Sequence, residues 1–188
     1  MKLLLTRHGQ TMSNVLRITM GQQDSNLTKK GIAQAKKKAQ LLRDKYDEIG
    51  VIYSSDLERC ARTARIIADW CGVEHIEMHK SLREISFGEY EGLPHSAIPF
   101  IEGGYMTTRF PGGESNSIMT TRVVDAINKI YSENTDGCVL VVTHSGPLAA
   151  ILASFHGTDL KTMLDDKVDN ERIIELTIDK DLRFPVSS

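Results

Sequence analysis

Two histidines in this chain stand in the same setting. His8 follows the apolar run Leu3-Leu4-Leu5 and precedes Gly9; His144 follows Cys138-Val139-Leu140-Val141-Val142 and precedes Ser145-Gly146. An apolar run that ends in polar residues and a glycine reads as a buried strand opening into the crevice at its carboxyl end, where open α/β sheets place ligands. Arg7 shares the first of these ends. Arg59 falls in the first turn of a helix expected after a second short strand, Val51-Ile52-Tyr53-Ser54. An arginine at a helix's positive end is unfavourable without a nearby anion, so Arg59 points either to anion binding or to a surface pair with Asp56 or Glu58. Guanidinium forks suit phosphate, and an imidazole can act as nucleophile, base or ligand. Arg7-His8-Gly9 alone is open to a purely structural reading, and joint occurrence is what gives it weight. Two arginines and one imidazole could surround the equatorial oxygens of a phosphoryl group while the other imidazole attacks phosphorus, forming a phosphohistidine. Amides at helix N-termini after His8 and His144 would add to that cradle.

The elements that must position these residues can be read along the chain. Gln10 to Ile18 reads as a short helix and Thr19 to Asn26 as a polar loop. From the N-cap Thr28, a stripe of Ile32, Ala35, Ala39, Leu42 and Tyr46 has helical spacing, which leaves Lys36-Lys37-Lys38 on a solvated outer face. The next helix buries Leu57, Ala61, Ala64, Ala68 and Cys71 and stops at Gly72. Glu74 to Met78 is a short third strand, and Leu82 to Gly88 an irregular connection. Residues 93–113, rich in proline, glycine and aromatics, form an excursion that could cover a site or be a plain surface insertion. A long helix runs from Glu114-Ser115 to about Ser132, the second histidine strand follows, and Pro147 starts the next helix at its first position. Asp159 to Asp169 is a charged segment, and Arg172 to Ile178 with the turn Asp179-Lys180-Asp181 suggests a hairpin at the sheet edge, before a short C-terminal piece. Strands alternating with helices give an α/β fold: three layers, a mostly parallel sheet with helices on both faces.

At 188 residues, one compact domain is expected. The net charge of -2 gives no electrostatic footprint for nucleic acid or anionic membrane. Cys60, Cys71 and Cys138 are an odd number without metal-type spacing, which fits a reducing compartment; Cys60 reads as a packed thiol. The three-leucine run before Arg7 is too short for a signal peptide, so a cytoplasmic protein is expected, with no metal or cofactor. No apolar run approaches the length of a membrane span.

The residues resemble the histidine phosphatase superfamily, also called phosphoglycerate mutase-like. Thr6 to Asn14 is similar to its first signature, Ser54 to Ala64 to its second, Leu82-Arg83-Glu84 with Gly88 and Glu91-Gly92 to its acid segment, and Val142 to Gly146 to the segment of the second histidine. Asp24 through Ala35 adds a weaker match. The resemblance implies that His8 attacks phosphorus, that Glu84 protonates the leaving alkoxide and then activates water, and that Arg7, Arg59 and His144 hold the phosphoryl oxygens. Asn14, Thr11, Gly9 and Ser145 are the implied substrate contacts. Glu89 and Glu91 stay open as alternative acids, Arg62 and Arg83 as substrate ligands or surface ion pairs, and His95 as a substrate contact; His75, His79 and His156 carry no motif.

These observations favour a phosphomonoesterase for a small phosphorylated metabolite. A phosphoglycerate mutase or sugar bisphosphatase of the same superfamily is the alternative; between Gly92 and Pro111 only His95 and Arg109 could hold a second acidic group. Ile98, Phe100, Tyr105, Met106 and Phe110 would suit a partly apolar leaving group. A metal site on His8 and His144, or a phospho-ligand module without catalysis, are further readings. A homodimer is compatible with all of them.

Overall fold

The computed structural model describes residues 1–184 other than 47, 103, 166 and 167. Gly103 of the excursion, the middle of the charged 159–169 segment and the last four residues of the C-terminal piece therefore lie outside the described residues. Five strands, β1 (Lys2–Arg7), β2 (Val51–Ser55), β3 (Ile76–His79), β4 (Cys138–Thr143) and β5 (Ile173–Thr177), form one mixed sheet in the order β3-β2-β4-β1-β5. The first four are parallel, and β5 is antiparallel to β1, with Leu4 opposite Glu175. The edge hairpin expected from Arg172 onward is absent among the described residues: the backbone donors of the last strand pair with β1, a partner distant in sequence.

Alternation along each strand sends side chains to two separate cores. Leu3, Leu5, Val51, Tyr53, Val139 and Val141 pack on one face against α4 (Asn116–Glu133), α5 (Ser145–His156) and α6 (Leu160–Asp165). Leu4, Ile52, Leu140 and Val142 pack on the other against α2 (Lys29–Lys45) and α3 (Glu58–Cys71). This is the expected three-layer arrangement. Removing one such side chain, for example by Leu4→Ala, costs about 2–5 kcal/mol because the cavity closes only in part. No helix among the described residues is long and apolar enough to cross a membrane.

Several elements differ from their sequence reading. The first helix, α1, is only Met12–Leu16, because Thr11 caps it and Arg17 ends it in the left-handed region at φ 56. The fifth helix begins at Ser145 with His144 as N-cap, so Pro147 sits inside the first turn rather than at its first position. That is tolerated, since the first four amides of a helix have no intrahelical acceptor. Within the charged 159–169 segment lies α6, which the density of charge concealed.

The arrangement of β1 and β4 creates the site. They are neighbours, with Arg7 opposite Thr143, and the chain leaves β1 toward the α2 and α3 layer but leaves β4 into α5 on the opposite face. A crevice opens where the connections diverge.

Candidate active site

His8 and His144 extend directly from these paired strands. Their ring centroids are 5.3 Å apart at an angle of 63°. Both rings are almost wholly buried, and burial, followed by the charge of Arg59, drives both imidazoles well below the ordinary histidine range. They are therefore neutral at neutral pH. His8 Nδ1 lies 2.7 Å from the carbonyl of Gly9, which can only accept, so Nδ1 carries the proton and the lone pair is left on Nε2. The backbone around it is fixed on every side: the Gly9 amide donates to Thr63 Oγ1 (3.1 Å), Asn170 Nδ2 donates to the His8 carbonyl (2.6 Å), and Lys38 Nζ donates to the Arg7 carbonyl. Gly9 itself touches Gly31 so closely that a Cβ there would collide with the Gly31 carbonyl, so its role in this structure is a backbone contact.

Arg59, the second residue of α3, is buried and committed largely to the protein. Its Nε donates to His144 Nδ1 (3.3 Å), Nη1 to the Gln23 carbonyl (2.7 Å) and Asp24 Oδ1 (3.2 Å), and Nη2 to the Gly21 carbonyl (2.7 Å). Since a guanidinium has five N–H donors, these four bonds leave one. The contact with Arg59 also sets the tautomer of His144: its Nδ1 must accept, so Nε2 donates to Ser55 Oγ at 2.8 Å. Neither Asp56 nor Glu58 is the partner of Arg59. Asp56 takes a bidentate bond from Arg83, at 2.6 Å to each oxygen, and Glu58 pairs with Arg65.

Arg7, His8, Asn14, Arg59, Glu84 and Ser145 line one cavity of about 220 Å³, with Ile18, Met20, Ile85, Phe87 and Leu164 as its apolar wall and His95 and Asn116 at its polar part. Arg7 Nη1 donates to the Val168 carbonyl at 3.2 Å, whereas its buried Nε has no partner among the described residues. A buried donor left open in this way marks where an acceptor belongs. Glu84 accepts from the amides of Ile85 (3.0 Å) and Gly146 (3.2 Å), and the absence of a Cβ at Gly146 lets the carboxylate come that close.

The chain belongs to the histidine phosphatase superfamily. The model of that superfamily's branch 1 matches residues 3–186. A probable phosphoglycerate mutase GpmB from Erwinia tasmaniensis is 34% identical over 167 residues, covering 84% of this chain and 75% of the relative. The solved structure of Bacillus stearothermophilus YhfR superposes with a TM-score of 0.84 at 28% identity, covering 98% of this chain and 95% of that one. The alpha-ribazole phosphatase from Shigella flexneri gives a TM-score of 0.83 at 26% identity, covering 98% and 96%.

His144, Thr11 and Gly9 are not among the described residues lining the cavity. Thr11 caps α1, its hydroxyl accepting from the Asn14 amide (3.2 Å) while Asn14 Oδ1 accepts from the Thr11 amide (3.0 Å). Both helix N-termini expected to cradle the phosphoryl group are engaged by the protein itself: after His144, the Gly146 amide of α5 donates to Glu84, and after His8 the first amides of α1 donate to the Asn26 carbonyl, Ser25 Oγ and Thr11 Oγ1. Asp24 accepts from the first amides of α3 at 2.6 and 3.3 Å. Glu91 is absent from the cavity wall, its oxygens accepting from the amides of Gln22, Gln23 and Phe87 and from Ser86 Oγ. Glu89 and Arg62 are exposed. Of the apolar residues proposed in the excursion, none lines the cavity; Tyr105 stacks on the core residue Phe110 at 3.8 Å, and Phe100 is 95% exposed. His95 does reach it, with Nδ1 3.0 Å from Thr19 Oγ1. Among the described residues no cluster of three or more His, Cys, Asp or Glu is placed to hold a metal ion.

Sequence reading missed Ser55, Asn170, Leu164 and Lys38 at this site. Lys38 is the one that carried a signal. It lies four residues after Gln34 and four before Leu42, both buried, and so falls on the inward stripe rather than outside it. It is fully buried, and desolvation lowers its ammonium to about 7.

Proposed function

We propose that this protein is a phosphomonoesterase working through a phosphohistidine on His8. The observation that carries the reading is the neutral, buried His8 with its lone pair on Nε2, in a cavity bounded by two guanidinium groups that each keep an N–H without a partner among the described residues. Nε2 attacks phosphorus while the leaving oxygen departs with a proton from Glu84; Glu84 then takes a proton from the water that cleaves the N–P bond. Arg7 supplies the open donor edge and Arg59 its charge and remaining N–H to the phosphoryl oxygens. His144 acts from behind Arg59, holding that guanidinium beside His8.

The leaving group is small and partly apolar. Once Arg7 and Arg59 are assigned to phosphate, the cavity wall offers, among the described residues, no further lysine or arginine to neutralise a second acidic group, and Ile18, Met20, Ile85, Phe87 and Leu164 favour apolar atoms. This supports hydrolase over mutase, although the curated relatives bear a mutase name. Phosphatases among the structural neighbours support the same choice. The test is a panel of phosphorylated metabolites assayed with wild type and His8→Ala, with and without bisphosphoglycerate. Primer-independent release of phosphate, lost in His8→Ala, is the expected result. Interconversion of phosphoglycerates that strictly requires the primer would instead identify a mutase.

A further inference from the structure

Arg122 lies in α4 and does not line the cavity, yet its guanidinium is wrapped by the segment that carries Glu84. Nη1 donates to the carbonyls of Ser81 (3.0 Å) and Arg83 (2.7 Å), and Nη2 to the carbonyl of Glu84 itself (2.8 Å). Nε and Nη2 also form a two-point bond with Glu114, at 2.8 Å each. Glu114 in turn accepts from the Ser86 amide at 2.9 Å. All five donors of this half-buried guanidinium are thus engaged, and every acceptor is either backbone of residues 81–84 or the carboxylate that grips residue 86. Residues 83–88 lie outside any strand or α-helix until the 3₁₀ turn at Gly88–Tyr90, so no ladder of their own holds them. The planar fork is what this geometry requires, and a lysine ammonium could not span it.

We infer that Arg122, braced by Glu114, is a positioning residue for proton transfer by Glu84. The inference rests on Glu84 being the acid of the proposed reaction. In that step the bond from phosphorus to the leaving oxygen breaks, its electron pair stays on oxygen, and the Glu84 proton is transferred to it. Misplacing the carboxyl by a fraction of an ångström slows only reactions that need this proton. An alkyl phosphate needs it, because an alkoxide is a poor leaving group; 4-nitrophenyl phosphate needs it little.

The test measures kcat/KM, which reports formation of the phosphoenzyme, for glycerol phosphate and 4-nitrophenyl phosphate in wild type, Arg122→Lys, Glu114→Gln and Glu84→Gln. Arg122→Lys keeps the charge, and Glu114→Gln keeps an acceptor for the Ser86 amide, so a folding defect in one leaves the other informative. Glu84→Gln is expected to lose about 10²- to 10⁴-fold on the alkyl ester and far less on the aryl ester. Arg122→Lys and Glu114→Gln should show the same selectivity at about 10- to 100-fold. Equal losses on both esters, or no loss, in these two variants alongside a selective Glu84→Gln would overturn the positioning role alone. A Glu84→Gln enzyme without selectivity would overturn the assignment of the acid, and the inference with it.

Discussion

Replacing Lys38 by methionine gives a change in stability whose sign depends on pH. The ammonium is fully buried, it donates to the Arg7 carbonyl, and desolvation brings it to about 7. In the unfolded chain a lysine titrates near 10.4. Between these two values the unfolded state binds more protons than the native one, so stability rises with pH. At about 1.4 kcal/mol per unit, the lowered titration of Lys38 costs the native state on the order of 4 kcal/mol at pH 7 and about 2 kcal/mol at pH 9, where the native amine is neutral and the unfolded one still charged. Lys38→Met removes that cost but leaves the Arg7 carbonyl without the ammonium, a loss of about 1–3 kcal/mol. The variant should therefore be more stable than wild type at pH 7 by roughly 1–3 kcal/mol, and the advantage should shrink by about 2 kcal/mol by pH 9. Cys60, pushed up to about 12 by burial, contributes with the opposite sign at high pH, but it does so in both proteins and cancels in the difference. Urea unfolding of both proteins at pH 7, 8 and 9 measures the difference. Parallel pH profiles for wild type and variant would refute the reasoning, because the native state would then hold Lys38 no differently from the unfolded chain.

Other outcomes follow from the same contacts. Asp24→Asn weakens both the cap on α3 and the grip on Arg59, so it should cost about 1 kcal/mol in urea unfolding and about 10-fold in kcat/KM. Unchanged kinetics would separate Asp24 from the site. Because His8 and His144 stay neutral when folded but titrate near 6.5 when unfolded, stability should fall as pH drops below 6.5. In His8→Asn that loss between pH 7 and 5.5 should be about 1 kcal/mol smaller than in wild type, and an equal loss would contradict a neutral buried His8. Hydrolysis should also persist in excess chelator, since two guanidiniums and an imidazole nucleophile need no metal for this chemistry.

Much of the framework was legible because its cause is local. β1, β2 and β4 are unbroken apolar runs, and α2, α3 and α4 announce themselves by an inward stripe at helical spacing. The histidines could be placed at strand ends because the strands themselves were readable. What was not legible depends on approach between distant segments. Nothing near Arg59 in sequence says that its carboxylate is Asp24, or that Arg122 reaches back to Glu84. β5 is half-buried and flanked by charge, and its partner is β1 rather than a neighbour in sequence. Lys38 shows a third kind of failure: a charged residue type outweighed a helical phase that placed it inside. The excursion misled for a related reason, since aromatic residues near a site can serve the core, as Phe110 does.

The most direct measurement is the site of phosphorylation during turnover. Enzyme mixed with a phosphomonoester labelled in its phosphoryl group, quenched in alkali within milliseconds and digested, should carry acid-labile phosphate on the peptide containing His8, at Nε2. The His8→Asn variant should carry none. Full turnover with no label on His8, or label on another residue, would contradict a phosphohistidine mechanism at this site.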